Sequence, residues 1–412
     1  MIYMDYNATT PCDKRVVEEM LPYLSDEYGN PSSLYKKART ARKAVDEARE
    51  RLAKLLGCQA NEVFFTSGGT EADNWAIQGT ACALKDKGRH IITSLIEHHA
   101  VLCACKALEK KGYKVTYLPV DSYGMVDVGE LKKSIRQDTI LVTIMYANNE
   151  IGTIQPISEI AEITKSRGVY FHTDAVQVAG KIPLTVNSPG IDMLSLSGHK
   201  FYAPKGIGAL YIRKGVKISP LLYGGEQERG GRAGTENVAG IVGIGKAAEL
   251  AQEEMREESV RVGLLRDRLE EEIKKRIPQI VVNGHPEQRL YNTLNLCIKY
   301  IEGESILLNL DFEDICVSSG SACASGSLEP SHVLLAIGLP DETARGSLRF
   351  SLGKYNTEED VTRVVTVLAG VVERLWRISP FWEKDKEQVN GLYRKSLRIL
   401  QKSQKYGKNY SC

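Results

Sequence analysis

The sequence predicts an α/β fold: a large domain on a mainly parallel seven-stranded sheet, followed by a smaller α+β C-terminal domain. Three observations predict it. Between residues 62 and 212, short β-rich runs alternate with helical patterns, which implies parallel strands joined by helices on both faces. The run at 139–145 is almost wholly apolar, as a strand covered on both sides must be. A long helical pattern over 238–276, closed by Ile277-Pro278, then gives way to a second, shorter set of strands and helices.

Residues 1–15 form an N-terminal arm joining the small domain, and the turn-rich stretch to residue 35 includes a loop at Gly29-Asn30-Pro31-Ser32-Ser33. The large domain covers 16–258. Its first helix spans 36–56, where Ala38, Ala41, Val45, Ala48, Leu52 and Leu55 make one apolar stripe at spacings of three and four. Strands follow at 62–66, 90–93, 114–118, 139–145, 169–173, 193–196 and 208–212, with helices from about Glu71 and Ala100. The small domain, 259–382, holds strands at 293–298 and 349–352, helices near 304–311 and after Thr357, and a Gly/Ser-rich loop at 319–327. Residues 383–412 are a polar, lysine-rich extension ending in Cys412, expected to be a solvated tail.

Composition narrows the function class. A hydrophobic content of 42% with 26% charged residues is that of an ordinary soluble enzyme. A net charge of +2 makes no electrostatic case for nucleic acid. Met1-Ile2-Tyr3-Met4-Asp5 has no basic or apolar leader, so a cytoplasmic location is expected. No apolar run approaches the roughly 18 residues of a membrane span. The nine cysteines are odd in number and scattered, which reads as reduced thiols, most of them small buried apolar residues. Cys103-Ala-Cys105 is not a CxxC pair, and no zinc spacing occurs.

Four segments carry chemistry. Ser197-Gly198-His199-Lys200 closes a strand, and a lysine at a strand end inside a site can form a Schiff base once burial frees its amine. Thr66-Ser67-Gly68-Gly69-Thr70-Glu71 joins a strand to a helix. Its backbone N–H groups make either a phosphate cup or no more than a capped tight turn. Asp174, in His172-Thr173-Asp174-Ala175-Val176-Gln177, could face a pyridine nitrogen or cap a helix. Ser318-Ser319-Gly320-Ser321-Ala322-Cys323-Ala324-Ser325-Gly326-Ser327 sets one thiol on a small-residue loop, where it is either a nucleophile or incidental.

Together these segments closely resemble the NifS/IscS group of cysteine desulfurases. Those are pyridoxal 5′-phosphate (PLP) enzymes of fold type I, aspartate-aminotransferase-like, in the class V branch. The likeness runs from Tyr3-Met4-Asp5-Tyr6-Asn7-Ala8-Thr9-Thr10-Pro11 to about Ser379-Pro380. It includes Asn148-Asn149-Glu150-Ile151-Gly152 and Leu328-Glu329-Pro330-Ser331-His332-Val333. Gly230-Gly231-Arg232-Ala233-Gly234-Thr235-Glu236-Asn237 and the long serine loop lean towards the nitrogenase-associated branch.

The resemblance implies PLP as cofactor, with Lys200 as its attachment point and the proton shuttle at the substrate α-carbon. It implies Asp174 on the pyridine nitrogen, Gln177 near the ring hydroxyl and His98 stacked on the ring, with His99 the weaker candidate. Gly69, Thr70, Ser197 and His199 would hold the phosphate, and Thr235 would reach the phosphate of a partner subunit in a homodimer. Asn149, also beside the cofactor, and Arg349 would bind the substrate carboxylate, a task that suits the guanidinium fork. Cys323 would take sulfur from L-cysteine as a persulfide, leaving L-alanine, and pass it to an iron–sulfur scaffold or another acceptor protein.

The attacking thiol must ionise from a solution pKa near ~8.5 and must travel, so the 321–328 loop is expected to be poorly ordered without an acceptor. No metal ligand is assigned firmly; a transient iron–sulfur cluster at Cys323 is what the family raises. Two other functions compete. An aminotransferase or selenocysteine lyase on the same scaffold would differ at Cys323, since a transaminase needs no mobile thiol. A scaffold without catalysis would lack Lys200 or Asp174, and both are present.

Overall fold

The computed structural model describes residues 1–187, 190–319, 329–380 and 382. The expectations about Cys323, the order of its loop, the 383–412 extension and Cys412 lie outside the described residues.

The chain opens with β1 (Ile2–Tyr3). Seven strands then make one sheet: β2 (Val63–Thr66), β3 (His90–Ser94), β4 (Lys114–Leu118), β5 (Thr139–Thr143), β6 (Tyr170–Asp174), β7 (Met193–Ser197) and β8 (Gly208–Ile212). Their order is β2-β8-β7-β6-β5-β3-β4, and only β8 runs antiparallel to its neighbours. Strands β3, β5, β7 and β8 are buried at every position, the mark of a sheet covered on both faces. One apolar core, including Val45, Leu52, Phe171 and Leu196, lies on one side. Another, around Trp75, Ile77, Val101 and Leu141, lies on the other.

The remaining strands are β9 (Ile280–Asn283), β10 (Thr293–Ile298), β11 (Ile315–Cys316) and β12 (Ser347–Ser351). Strand β10 is the centre of an antiparallel sheet with β9 and β12. Strand β1 pairs in parallel with β11, so the amino-terminal arm is stitched to the C-terminal part of the chain. A separate core here gathers Met4, Leu296, Phe350, Leu368 and Trp376.

The helix Lys36–Leu56 stops at Gly57, whose φ of 67° suits a residue without a Cβ. The helix Val238–Arg276 is 39 residues long and serves both cores: Ile241 to Leu250 pack into the first, Val262 to Ile273 into the second.

Several elements differ from the sequence reading in detail. The turn-rich stretch before residue 35 contains two short helices, Lys14–Met20 and Pro22–Ser25. Their apolar residues are too few to show a stripe, and the start is marked instead by Asp13, which accepts the Arg15 N–H. The helix expected from Glu71 begins at Gly69, directly on the glycine turn. Strand β12 starts two residues before Arg349, because its ladder with β10 begins at Ser347. Cysteine burial is more varied than expected: Cys105 and Cys297 are buried, but Cys82 and Cys103 are exposed. No helix among the described residues is long and apolar enough to cross a membrane.

Candidate active site

Most of the predicted site residues lie at the carboxyl ends of the parallel strands, where open α/β sheets leave a crevice for ligands. Strand β2 ends at the glycine turn, and β3 runs on to His98. Beyond β5 lie Asn148 and Asn149, β6 ends on Asp174, and β7 leads into the short turn Gly198–Lys200.

That turn rotates Lys200 inward. Its Nζ donates to the backbone carbonyls of Asn7 (2.5 Å) and Ala8 (2.8 Å), so the amino-terminal arm positions the amine. Asp174 is 6% exposed, and its carboxylate accepts the Val176 N–H at 2.9 Å. Burial raises the Asp174 pKa, while His98 and Lys200 pull it back down. His98 is half-buried and caps the helix His99–Glu109, its Nδ1 accepting the Ala100 N–H at 3.1 Å. Desolvation lowers its pKa against the pull of Asp174. His99 is exposed and faces His332, ring centroids 5.0 Å apart.

The helix Gly69–Ala83 starts from Gly68 with no side-chain cap, leaving first-turn amides to attract an anion. A Cβ on Gly69 would stand 2.6 Å from Val176 Cγ2, so only glycine lets this turn close on the segment after Asp174. A Cβ on Gly68 would lie 3.7 Å from Ser197 Oγ, which puts that hydroxyl beside the turn. Thr70 is exposed at the helix start. His199 contacts Thr9 Oγ1 through Nδ1 at 3.1 Å, and burial lowers its pKa to about 4, so it is neutral near pH 7.

At the other end, Arg349 is 2% exposed. It donates to the Asn149 carbonyl (3.1 Å) and pairs with Asp5 (2.7 Å), while its Nε has no hydrogen-bond partner among the described residues. The half-buried Asn149 is engaged there through its backbone. Both described ends of the Cys323 loop are anchored nearby. Ser318 exchanges backbone hydrogen bonds with Arg349, and Ser331 donates to the buried Glu150.

One expected residue is occupied otherwise, and another is exposed. The Gln177 amide donates to the Asn7 carbonyl (2.9 Å) and accepts from Lys181 (2.9 Å). Thr235 is exposed on a loop that Arg232 ties to Glu71 at the mouth of the glycine turn (2.8 Å).

The sequence reading missed Asn7, Asp73 and Lys181. Asn7 is 1% exposed and links the arm to Asn149, Thr293, Asn292 and Lys181 through its side chain. Lys181 is 6% exposed, and burial, helped by Lys200, lowers its pKa to about 7. Asp73 had one available signal, an acid among Ala72, Ala76 and Ile77 on a buried helix face.

A phosphorylated pyridine aldehyde fits this arrangement. Open amides and the Ser197 hydroxyl stand at one end, the Lys200 amine inside, Asp174 at a strand end, and Arg349 with an unpartnered Nε beyond.

Residues 2–364 match the aminotransferase class-V family. The chain is 59% identical over 384 residues to the cysteine desulfurase IscS of Methanosarcina thermophila, covering 93% of this chain and 95% of that protein. It is 56% identical over 389 residues to the cysteine desulfurase IscS of Dictyoglomus turgidum, covering 94% and 99%. Among solved structures it resembles a NifS-like protein with a TM-score of 0.86 at 42% identity, over 90% of this chain and 99% of that one. It also resembles SspA in complex with cysteine, with a TM-score of 0.75 at 37% identity, over 87% and 100%.

Proposed function

The chain belongs to the class-V aminotransferase family and is an enzyme of its cysteine desulfurase group, and from that premise we propose how its own residues take sulfur from L-cysteine. The observation that carries the reading is the convergence of an inward lysine, a buried strand-end aspartate and an uncapped helix start on one crevice.

PLP, bound there, supplies an aldehyde for the substrate amine and an electron sink for charge developing at the α-carbon. Gly69, Thr70, Ser197 and His199 hold its phosphate. Asp174 would pair with the ring nitrogen, with His98 beside the ring and Gln177 toward the ring hydroxyl. Arg349 exchanges Asp5 for the substrate carboxylate, with Asn149 beside it. Lys200 moves a proton at the substrate α-carbon. It is suited to this because backbone carbonyls of the amino-terminal arm orient its amine.

The Cys323 thiolate attacks the substrate sulfur. A sulfur–sulfur bond forms, the carbon–sulfur bond breaks, and the carbon takes a proton, so L-cysteine and thiol become L-alanine and persulfide. Anchorage of the loop's described ends at Arg349 and Glu150 supports this, because it ties the loop to the carboxylate-binding end of the crevice. SspA, one of the structural relatives, was solved with cysteine.

The persulfide sulfur goes on to acceptor proteins for iron–sulfur assembly, in a cytoplasmic homodimer in which Thr235 reaches across to the partner's phosphate site. Exposed Leu21, Leu24, Tyr28, Leu34, Tyr35 and Tyr223 supply apolar surface for such a dimer.

The test is incubation with L-cysteine followed by mass spectrometry of the Cys323 peptide. One added sulfur on that peptide, with alanine formed one for one and both lost in Cys323→Ala, is expected. Undiminished alanine formation by Cys323→Ala would overturn the reading.

A further inference from the structure

Asp73 sits one turn into the helix Gly69–Ala83 and is 1% exposed. Its Oδ1 has no hydrogen-bond partner among the described residues. The nearest basic group is His172, with Nε2 3.6 Å from Oδ1. That imidazole is already satisfied: Nε2 meets the Ser195 hydroxyl at 2.9 Å and Nδ1 meets Thr143 at 2.8 Å. Burial lowers the His172 pKa to about 3, so it stays neutral and offers no countercharge.

The other titratable neighbours make ionisation of Asp73 harder. One polar side-chain atom from each of Asp73, His98 and Asp174 lies within 4.8 Å of the others. Burial and then the charge of Asp174 raise the Asp73 pKa, and the Ser195 hydroxyl opposes them; Glu97, kept protonated by its own burial, adds little. Two carboxyls this close in a dry site do not both ionise, and the proton settles on the one with less compensation. Asp174 has the Val176 amide and the nearby charge of Lys200. Asp73 has only Ser195.

We propose that Asp73 is a positioning residue that carries the proton of an Asp73–Asp174 pair, so that the pair's single negative charge is lodged on Asp174, where the cofactor's ring nitrogen is held. This rests on the reading of Asp174 given above. A neutral acid beside Asp174 offers a dipole and a donor without diluting its charge. A second carboxylate would instead repel it and draw the ring proton away.

Infrared spectroscopy of the apoprotein with 13C-carboxyl aspartate reads the proton directly. A protonated-aspartate band at pH 7 that disappears in Asp73→Asn is expected; absence of such a band, or its survival in Asp73→Asn, overturns the proposal. Loaded protein gives the second readout, cofactor dissociation and the pH midpoint of the cofactor absorbance. Asn mimics a neutral acid, so Asp73→Asn should stay within about twofold of wild type, whereas Asp73→Ala, which removes the dipole beside the buried charge, should release cofactor roughly tenfold more readily. Should Asp73→Asn shift the midpoint by a unit or more, Asp73 is ionised and the proposal fails. Undiminished cofactor affinity in Asp174→Asn would overturn the Asp174 reading and the cofactor half of the proposal, leaving the infrared band to report on Asp73 alone.

Discussion

Glu97 illustrates how single buried groups shape this site. It precedes His98 and is fully buried. Its carboxyl accepts from the Ser94 hydroxyl (2.6 Å) and the Met145 N–H (3.0 Å), and its carbonyl contacts His332 (3.0 Å). These bonds fix the peptide on which His98 is presented. Burial raises the Glu97 pKa to about 8, so the folded protein keeps it protonated where the unfolded chain does not. A raised acid stabilises fully below its unfolded value, and that stability is lost as pH rises towards the folded one. Stability should therefore decline between about pH 5 and 8 from this group, and Glu97→Gln, a permanent neutral mimic, should flatten that decline. Denaturation midpoints across the range check it, and equal slopes would contradict it. Lys200, Asp174 and Gly69 were legible in the sequence because each ends a strand or opens a helix, and local pattern marks those places. Asn7, Asp73 and Lys181 were not, because their roles come from contacts made across the fold. Asn7 meets Lys181 174 residues later and Asn292 285 residues later.

At the scale of elements, the loop that carries Thr235 is held by buried charge. Arg49, from the helix Lys36–Leu56, grips Glu228 with its two terminal guanidinium nitrogens at 2.7 Å and donates to the Val63 carbonyl. Glu228 also accepts the Phe65 N–H at 2.9 Å, locking the loop to β2, the strand that leads to the glycine turn. Both side chains of this pair are nearly inaccessible to solvent. Removing one partner leaves the other charge uncompensated, so Arg49→Met should cost about 3–5 kcal/mol in denaturant unfolding. A loss well under 1 kcal/mol would show that water reaches Glu228. The strands were readable because buried parallel strands are continuous apolar runs. The passage from one core to the next was not, because the helix Val238–Arg276 keeps its period through the change between Met255 and Val262. A boundary at residue 258 is a choice made within a single helix.

The whole molecule is closed by its first residues. Strand β1 pairs with β11, and Met4 fills the second core. Asn7 bonds to β10, to the Asn149 segment and, through its carbonyl, to Lys200. The arm thereby couples both cores to the reactive amine. Asn7→Ala removes the side-chain bonds but keeps the carbonyl, so it should cost about 2–3 kcal/mol from buried groups left unpaired. Chemical denaturation checks this, and a neutral effect would mean that water replaces the lost bonds. The account stands on which lysine meets the cofactor. Lys181 is the rival, since it is buried beside Gln177 with its pKa lowered to about 7. Reduction of the PLP-loaded protein with borohydride, followed by digestion and mass spectrometry, decides between them. The account predicts a pyridoxyl group on the peptide containing Lys200; a label on Lys181, on any other lysine, or on none would contradict it.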